Sequence, residues 1–137
     1  MTGSPLLMAI LNFLAYFSGG LLALLLFKII YVRITPHDEW QLIREQNNSA
    51  AATGFGGAIM GFSIALYSAI SHSVSLTDFA IWAVIALCAQ LLAFAMVRFV
   101  FMPSLVRRIQ EGELSAGILL ASVSIAVGLI NAASMSW

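Results

Sequence analysis

Charge is what this sequence lacks most. Among 137 residues only six are Lys or Arg and six Asp or Glu, 9% in all, against 61% hydrophobic. A soluble domain carries roughly a quarter charged residues, so these few cannot coat a water-facing surface. The formal net charge is zero, which excludes the basic face that nucleic-acid binding needs. Cysteine is nearly absent as well. The lone Cys88 lies in an apolar run, so it can form no internal disulfide and says little about redox compartment. No nucleophile stands near a base, no glycine loop carries a phosphate-binding lysine, and no carboxylate pair sits within an apolar run. An enzyme needs at least one such arrangement, so a non-enzymatic protein without metal or cofactor is expected.

What fills the chain instead is four apolar runs, from about Pro5 to Val32, Ser49 to Ser71, Phe79 to Met102, and Leu114 to the C-terminus. Each exceeds or matches the roughly 20 residues that cross a bilayer as a helix. Backbone in lipid must satisfy its own hydrogen bonds, and barrel strands would alternate polar and apolar residues, which these runs do not. The first run has no positive segment before it and is too long for a secretory leader, so it is expected to remain as a span. The six cations cluster at two connections, Lys28, Arg33 and Arg44 near the first and Arg98, Arg107 and Arg108 near the third. The positive-inside rule then puts those loops in the cytoplasm and both termini on the non-cytoplasmic side. Lys28 and Arg98, at helix ends, read as snorkelling side chains.

An internal repeat is visible. LLLFKIIYVRITP at 24–36 aligns with LLAFAMVRFVFMP at 91–103, and each is followed by a short polar stretch and a helix that opens on small residues. The expected fold is an all-α integral membrane protein, one membrane domain over 1–137. Its four transmembrane helices would form two tandem, parallel-oriented helical-hairpin repeats, about 5–71 and 79–137. In the first loop, ITPHDEWQLIREQNN, Thr35 is placed to cap a short interfacial helix with Pro36 at its first position, Asp38 completing a capping box and Trp40 as anchor. In the second, PSLVRRIQEGEL, Leu105, Val106 and Ile109 form an apolar side and Gly112 a stop. His37, Asp38 and Glu39 are adjacent, so they diverge on a helix and lack a second ligand cluster; a capped, solvated loop is expected there, not a metal site. His72 falls at the outer interface, where it could respond to pH but is more often inert.

The spans carry two kinds of exception to bulk and apolarity. Small residues recur at helical spacing: Gly54, Gly57, Gly61 and Ala65 in the second span, with Ala58, Ser68 and Ala69, and Gly117, Ala121, Ser124, Gly128 and Ala132 in the fourth. Lipid tails are as apolar as leucine, so helices associate in a bilayer through close packing, which small residues allow. The second and fourth spans are therefore expected at the centre, the first and third outside. Phe55, Ile59, Phe62 and Leu66, on the far side of the second span, suit lipid or bulky neighbours. A further small face in the fourth span, Ser115, Ser122, Ala126 and Ala133, motivates a homo-oligomer. Polar residues are the other exception: Asn12, Ser68 and Asn131 in the outer third and Gln90 nearer the middle. They either line a path or bond between helices, and with no central Asp or Glu a proton-coupled pump is not expected.

ITPHDEWQLIREQNNSAAA, the small-residue second span, ALCAQLLAFAMVR and INAASMSW together resemble the YjfL family of bacterial inner-membrane proteins, over nearly the whole chain. The resemblance implies two paired-helix units, an inner-membrane location and an unassigned activity. Genes of that family often lie near those of a phage-shock-type membrane-stress protein and of a ligase resembling glutathionylspermidine synthase, which implies envelope maintenance by association and transfers no catalytic residue. The expected role is a self-assembling structural or docking component of an envelope or membrane-stress system. Trp40, Arg44, Arg107 and Arg108 would face a cytoplasmic protein partner. The alternative is an oligomeric channel or transporter for an ion or small solute.

Overall fold

A computed structural model describes residues 4–135. The expected run of the last span to Trp137, and the chain ends whose side of the membrane was inferred, fall outside that range. Six α-helices follow in order: α1 Pro5–Ile34, α2 Glu39–Gln46, α3 Ser49–His72, α4 Leu76–Met96, α5 Leu105–Gln110 and α6 Leu114–Ser134. A π-helical turn, Val97–Phe101, extends α4. Four of these helices are long and apolar enough to cross a membrane, and no strand occurs among the described residues.

The boundaries follow from local chemistry. Ser4 caps α1, its Oγ accepting from the Leu7 amide at 3.2 Å, and Pro5 takes the position where a missing N–H costs nothing. Thr35 is extended (φ −71°, ψ 135°), as the residue before Pro36 must be, and α1 stops there. Ser75 caps α4 by accepting from the Asp78 amide, and the Asp78 carboxylate reaches back to the Val74 amide. Asn47 closes α2 in the left-handed region (φ 51°), and Gly112 (φ 80°) follows α5 in the same conformation. The Asn48 amide reaches back to the Leu42 carbonyl and the Glu113 amide to the Arg108 carbonyl, so both short helices end alike.

One boundary differs from expectation. Thr35 does not cap the short helix, and Pro36 does not open it. Helix α2 begins three residues later, at Glu39, with Asp38 accepting from the Gln41 amide at 3.2 Å. The Thr35 hydroxyl is already committed, to the Tyr31 carbonyl at 3.0 Å and the Glu39 carboxylate at 2.6 Å.

Helices α3 and α6 form the centre and run parallel. Ala50 meets Gly117, Gly57 meets Ala121, Gly61 meets Ser124, and Ser68 bonds to Ala132, so the numbers climb together on both helices. The far side of α3 is covered by bulky neighbours and not by lipid: Phe62 stacks on Phe27 at 4.5 Å, and Phe55 packs on Tyr31. Helix α4 adds Ala86, Gln90 and Ala93 to the centre. Helix α1 stays outside. Only 6% of its most apolar stretch is buried, against 56% for α3, and Phe27 and Tyr31 are its fully buried residues. The two short helices lie at one end, tied together where Asn48 Nδ2 donates to the Ile109 carbonyl at 2.6 Å.

Candidate functional site

The small residues of the seam fill their positions because nothing larger fits. A Cβ on Gly57 would overlap the Ala121 backbone, and one on Gly61 the Ser124 carbonyl and the Gln90 amide. A Cβ on Gly117 would overlap the Ala50 carbonyl, and one on Gly128 the Gly61 carbonyl. Gly54 is looser, with Leu120 at 3.0 Å. Ala65 is fully buried. At Gly61, Gly117 and Gly128 the Cα–H therefore points at a carbonyl oxygen of the facing helix, a geometry worth about 0.5–1 kcal/mol each. Backbone contact along the full seam leaves no water-filled way between α3 and α6.

The intramembrane polar residues do not converge. Gln90 is fully buried and its Nε2 donates to the Ser124 carbonyl at 3.0 Å. Ser68 Oγ donates to the Ala132 carbonyl at 2.9 Å, beside the half-buried Asn131 in sequence. Asn12 lies apart, exposed on α1 beside Tyr16, Ile70 and Ser73. Gln90 Oε1, Ser124 Oγ and Asn131 Nδ2 are buried without a hydrogen-bond partner among the described residues. His72, exposed at the end of α3, has its Nδ1 2.9 Å from the Ser68 carbonyl.

The loop end holds the largest departure from the sequence reading. His37 and Glu39 are not solvated: each is about 1% exposed. His37 Nε2 lies 3.2 Å from Glu39 Oε1, close enough to pair although off hydrogen-bond alignment. Thr35 Oγ1 donates to the other carboxylate oxygen. The His37 ring packs on Phe94 of α4 at 5.7 Å, and the Tyr31 hydroxyl is buried nearby without a hydrogen-bond partner. A buried carboxylate requires partners, and this one accepts one hydrogen bond from its own loop, from Thr35, with His37 within ion-pair distance of its other oxygen. Alternation explains the burial: Thr35, His37 and Glu39 turn inward while Pro36, Asp38 and Trp40 turn out. Among the described residues no group of three or more His, Cys, Asp or Glu is placed to hold a metal ion.

The knot pins α2 to the bundle, and Asn48 pins α2 and α3 to α5. Together they hold a fixed surface. Arg44 and Arg107 are exposed and Arg108 half-buried, and no carboxylate lies within ion-pair distance of any of them among the described residues. Trp40 is 38% exposed. Its ring lies under Lys28 Nζ at 4.4 Å and meets Phe55 edge-on, so it anchors as much as it displays. Asn48 and the inward-turned loop residues are the ties at this end that the sequence reading missed.

Comparison with known proteins adds the family context. The model of the family described as Domain of Unknown Function (DUF350) matches residues 5–135. The chain is 43% identical over 129 residues to the UPF0719 inner membrane protein YjfL of Escherichia coli strain K12, covering 94% of this chain and 96% of that protein. The YjfL protein of E. coli O157:H7 gives the same figures. The UPF0719 transmembrane protein YshE of Bacillus subtilis strain 168 is 25% identical over 122 residues, covering 88% and 90%. No solved structure matches significantly.

Proposed function

Because the chain belongs to the DUF350 (UPF0719) family and is an integral protein of the bacterial inner membrane, we propose that it is a non-enzymatic, self-assembling docking component of the envelope. Its loop end offers a cationic platform to a cytoplasmic protein. The observation that carries this reading is the rigid loop end itself. Two buried ties, Thr35–Glu39–His37 and Asn48–Ile109, hold α2 and α5 in place beneath three arginines that have no acidic partner among the described residues. Ordered, unpaired cations suit an acidic protein surface and select for complementary charge.

The positive-inside rule supports a cytoplasmic position for this end. The common order of long helix, short helix, long helix in each half, and the parallel run of α3 and α6, support two tandem repeat units. Self-assembly draws on the α6 face of Ser115, Ser122, Ala126 and Ala133, all exposed in the single chain. The conduit alternative is weaker, because Gln90 is enclosed within one chain and Ser68 is bonded to α6, so neither is available to line an axis shared between copies.

Affinity capture from gently solubilised membranes should recover a soluble acidic partner. Arg107→Ala with Arg108→Ala should weaken its recovery roughly thirtyfold, on the order of 1 kcal/mol for each interfacial charge. Equal recovery by the double variant, or no partner at all, removes the docking role.

A further inference from the structure

A second feature lies on the opposite, membrane-facing flank. Between α1 and α4, floored by Phe62 of α3, runs an apolar groove of about 360 Å³, within the range of about 300–1,000 Å³ typical of small-ligand sites. It exists because small residues, Gly19 and Ala23 on α1 and Ala80 and Ala83 on α4, line it where larger ones would close it. No hydrogen-bonding side chain lines it. Water would find no partners there, and a groove within two apolar spans opens onto hydrocarbon.

The stripes that line the groove continue past its end. On α1 the steps Ala23, Leu26, Ile30 lead to Arg33; on α4 the groove ends at Leu87, the stripe beyond it passes Phe94, which Tyr31 and His37 cover, and Arg98 follows within the π-helical turn. Both arginines stand at the loop end of their helices, at the edge of the apolar spans. Neither has a carboxylate within ion-pair distance among the described residues. Arg98 rests over the Phe99 ring at 5.1 Å, which leaves its outer N–H groups available. Lys28, the other cation of α1, is occupied by Trp40. A π-turn in a membrane helix often accompanies a functional position.

We propose that this flank is a binding site for one anionic phospholipid, an acyl chain lying in the groove and the headgroup phosphate held by Arg33 and Arg98. Charge complementarity at one end and an apolar trough behind it select an amphiphile of that form, and basic pockets between membrane helices bind anionic headgroups in this way.

Native mass spectrometry of the full chain tests it, in mild detergent with equal amounts of phosphatidylglycerol and phosphatidylcholine of matched chains. One phosphatidylglycerol should be retained in preference. Arg33→Gln and Arg98→Gln should each reduce that preference about fivefold. Ala83→Trp, which fills the groove, should abolish retention of either lipid, with helix content checked by circular dichroism. Should Ala83→Trp not fold, the arginine variants decide. Equal retention of both lipids, or an undiminished preference in the double arginine variant, overturns the proposal. So does disulfide cross-linking between copies through Ala83→Cys in a Cys88→Ser background, which would place a second copy's helix in the groove.

Discussion

The α3–α6 seam and the α1–α4 flank are built from small residues at similar helical spacing, and they behave oppositely. On α3 and α6, Gly57, Gly61, Gly117 and Gly128 let two backbones touch. On α1 and α4, Gly19, Ala23, Ala80 and Ala83 line an open groove. The difference lies in what else shares the stripe. Phe79 stands against Gly19, and Tyr31 and Phe94 meet at the loop end with ring centres 6.1 Å apart. Those aromatics hold the outer helices apart, so the small residues between them create space. Along the seam the bulky residues of α3, Phe55 and Phe62, point to the other side. A row of small residues draws helices together where a large residue on the row is met by a glycine, as Leu120 is by Gly54, and stays open where large residues prop the helices apart.

That contrast can be broken most directly at Gly61. Gly61→Leu must push α6 away along the whole seam and should cost more than about 3 kcal/mol, lowering the melting temperature in detergent or nanodiscs by many degrees. Gly56, on the same helix, faces open space: a Cβ there would meet no atom within 4 Å. Gly56→Leu should therefore stay within about 0.5 kcal/mol of the parent. Comparable losses at both positions would mean that the seam is not where stability resides.

The next effect is expected at the loop end. Glu39→Ala leaves the buried His37 without its charged neighbour and the Thr35 hydroxyl with backbone carbonyls alone, a loss of about 2 kcal/mol. It should appear as faster amide exchange in α2 with α3 and α6 unchanged; uniform protection across the variant would contradict the pinning of α2. The smallest effects sharpen the comparison. Ser68→Ala should cost about 0.6 kcal/mol, the usual worth of an interhelical hydrogen bond in a membrane protein. Leu25→Ala, at a 63% exposed position on α1, should be near neutral in the same melts. A Leu25→Ala loss exceeding that of Ser68→Ala would show α1 to be packed against something other than lipid.

Much of this architecture was legible beforehand. The four spans, the central pairing of the second and fourth, and the stop at Gly112 follow from hydropathy, residue size and a required positive φ. The loop was less legible. His37 and Glu39 are polar, and polarity alone suggests solvent; their burial depends on a period-two alternation over a few residues and on Phe94, far along the chain on α4. Asn48 shows the same limit. Its capping of α3 is a local signal, whereas its bond to the Ile109 carbonyl requires the two loops to meet. The intramembrane polar groups could be found from the sequence but not grouped, because Asn12, Gln90 and Asn131 lie on different helices whose relative rotation no local pattern encodes.

The sequence by itself determined that this chain lives in a bilayer, how many times it crosses, and roughly where its long helices lie, since these depend on transfer free energies and backbone hydrogen bonds that each segment settles alone. Only the tertiary structure decided which rows of small residues close and which stay open, and whether a polar side chain is buried. Those outcomes depend on the size and position of residues on the facing helix, and a segment carries no information about its neighbour's rotation.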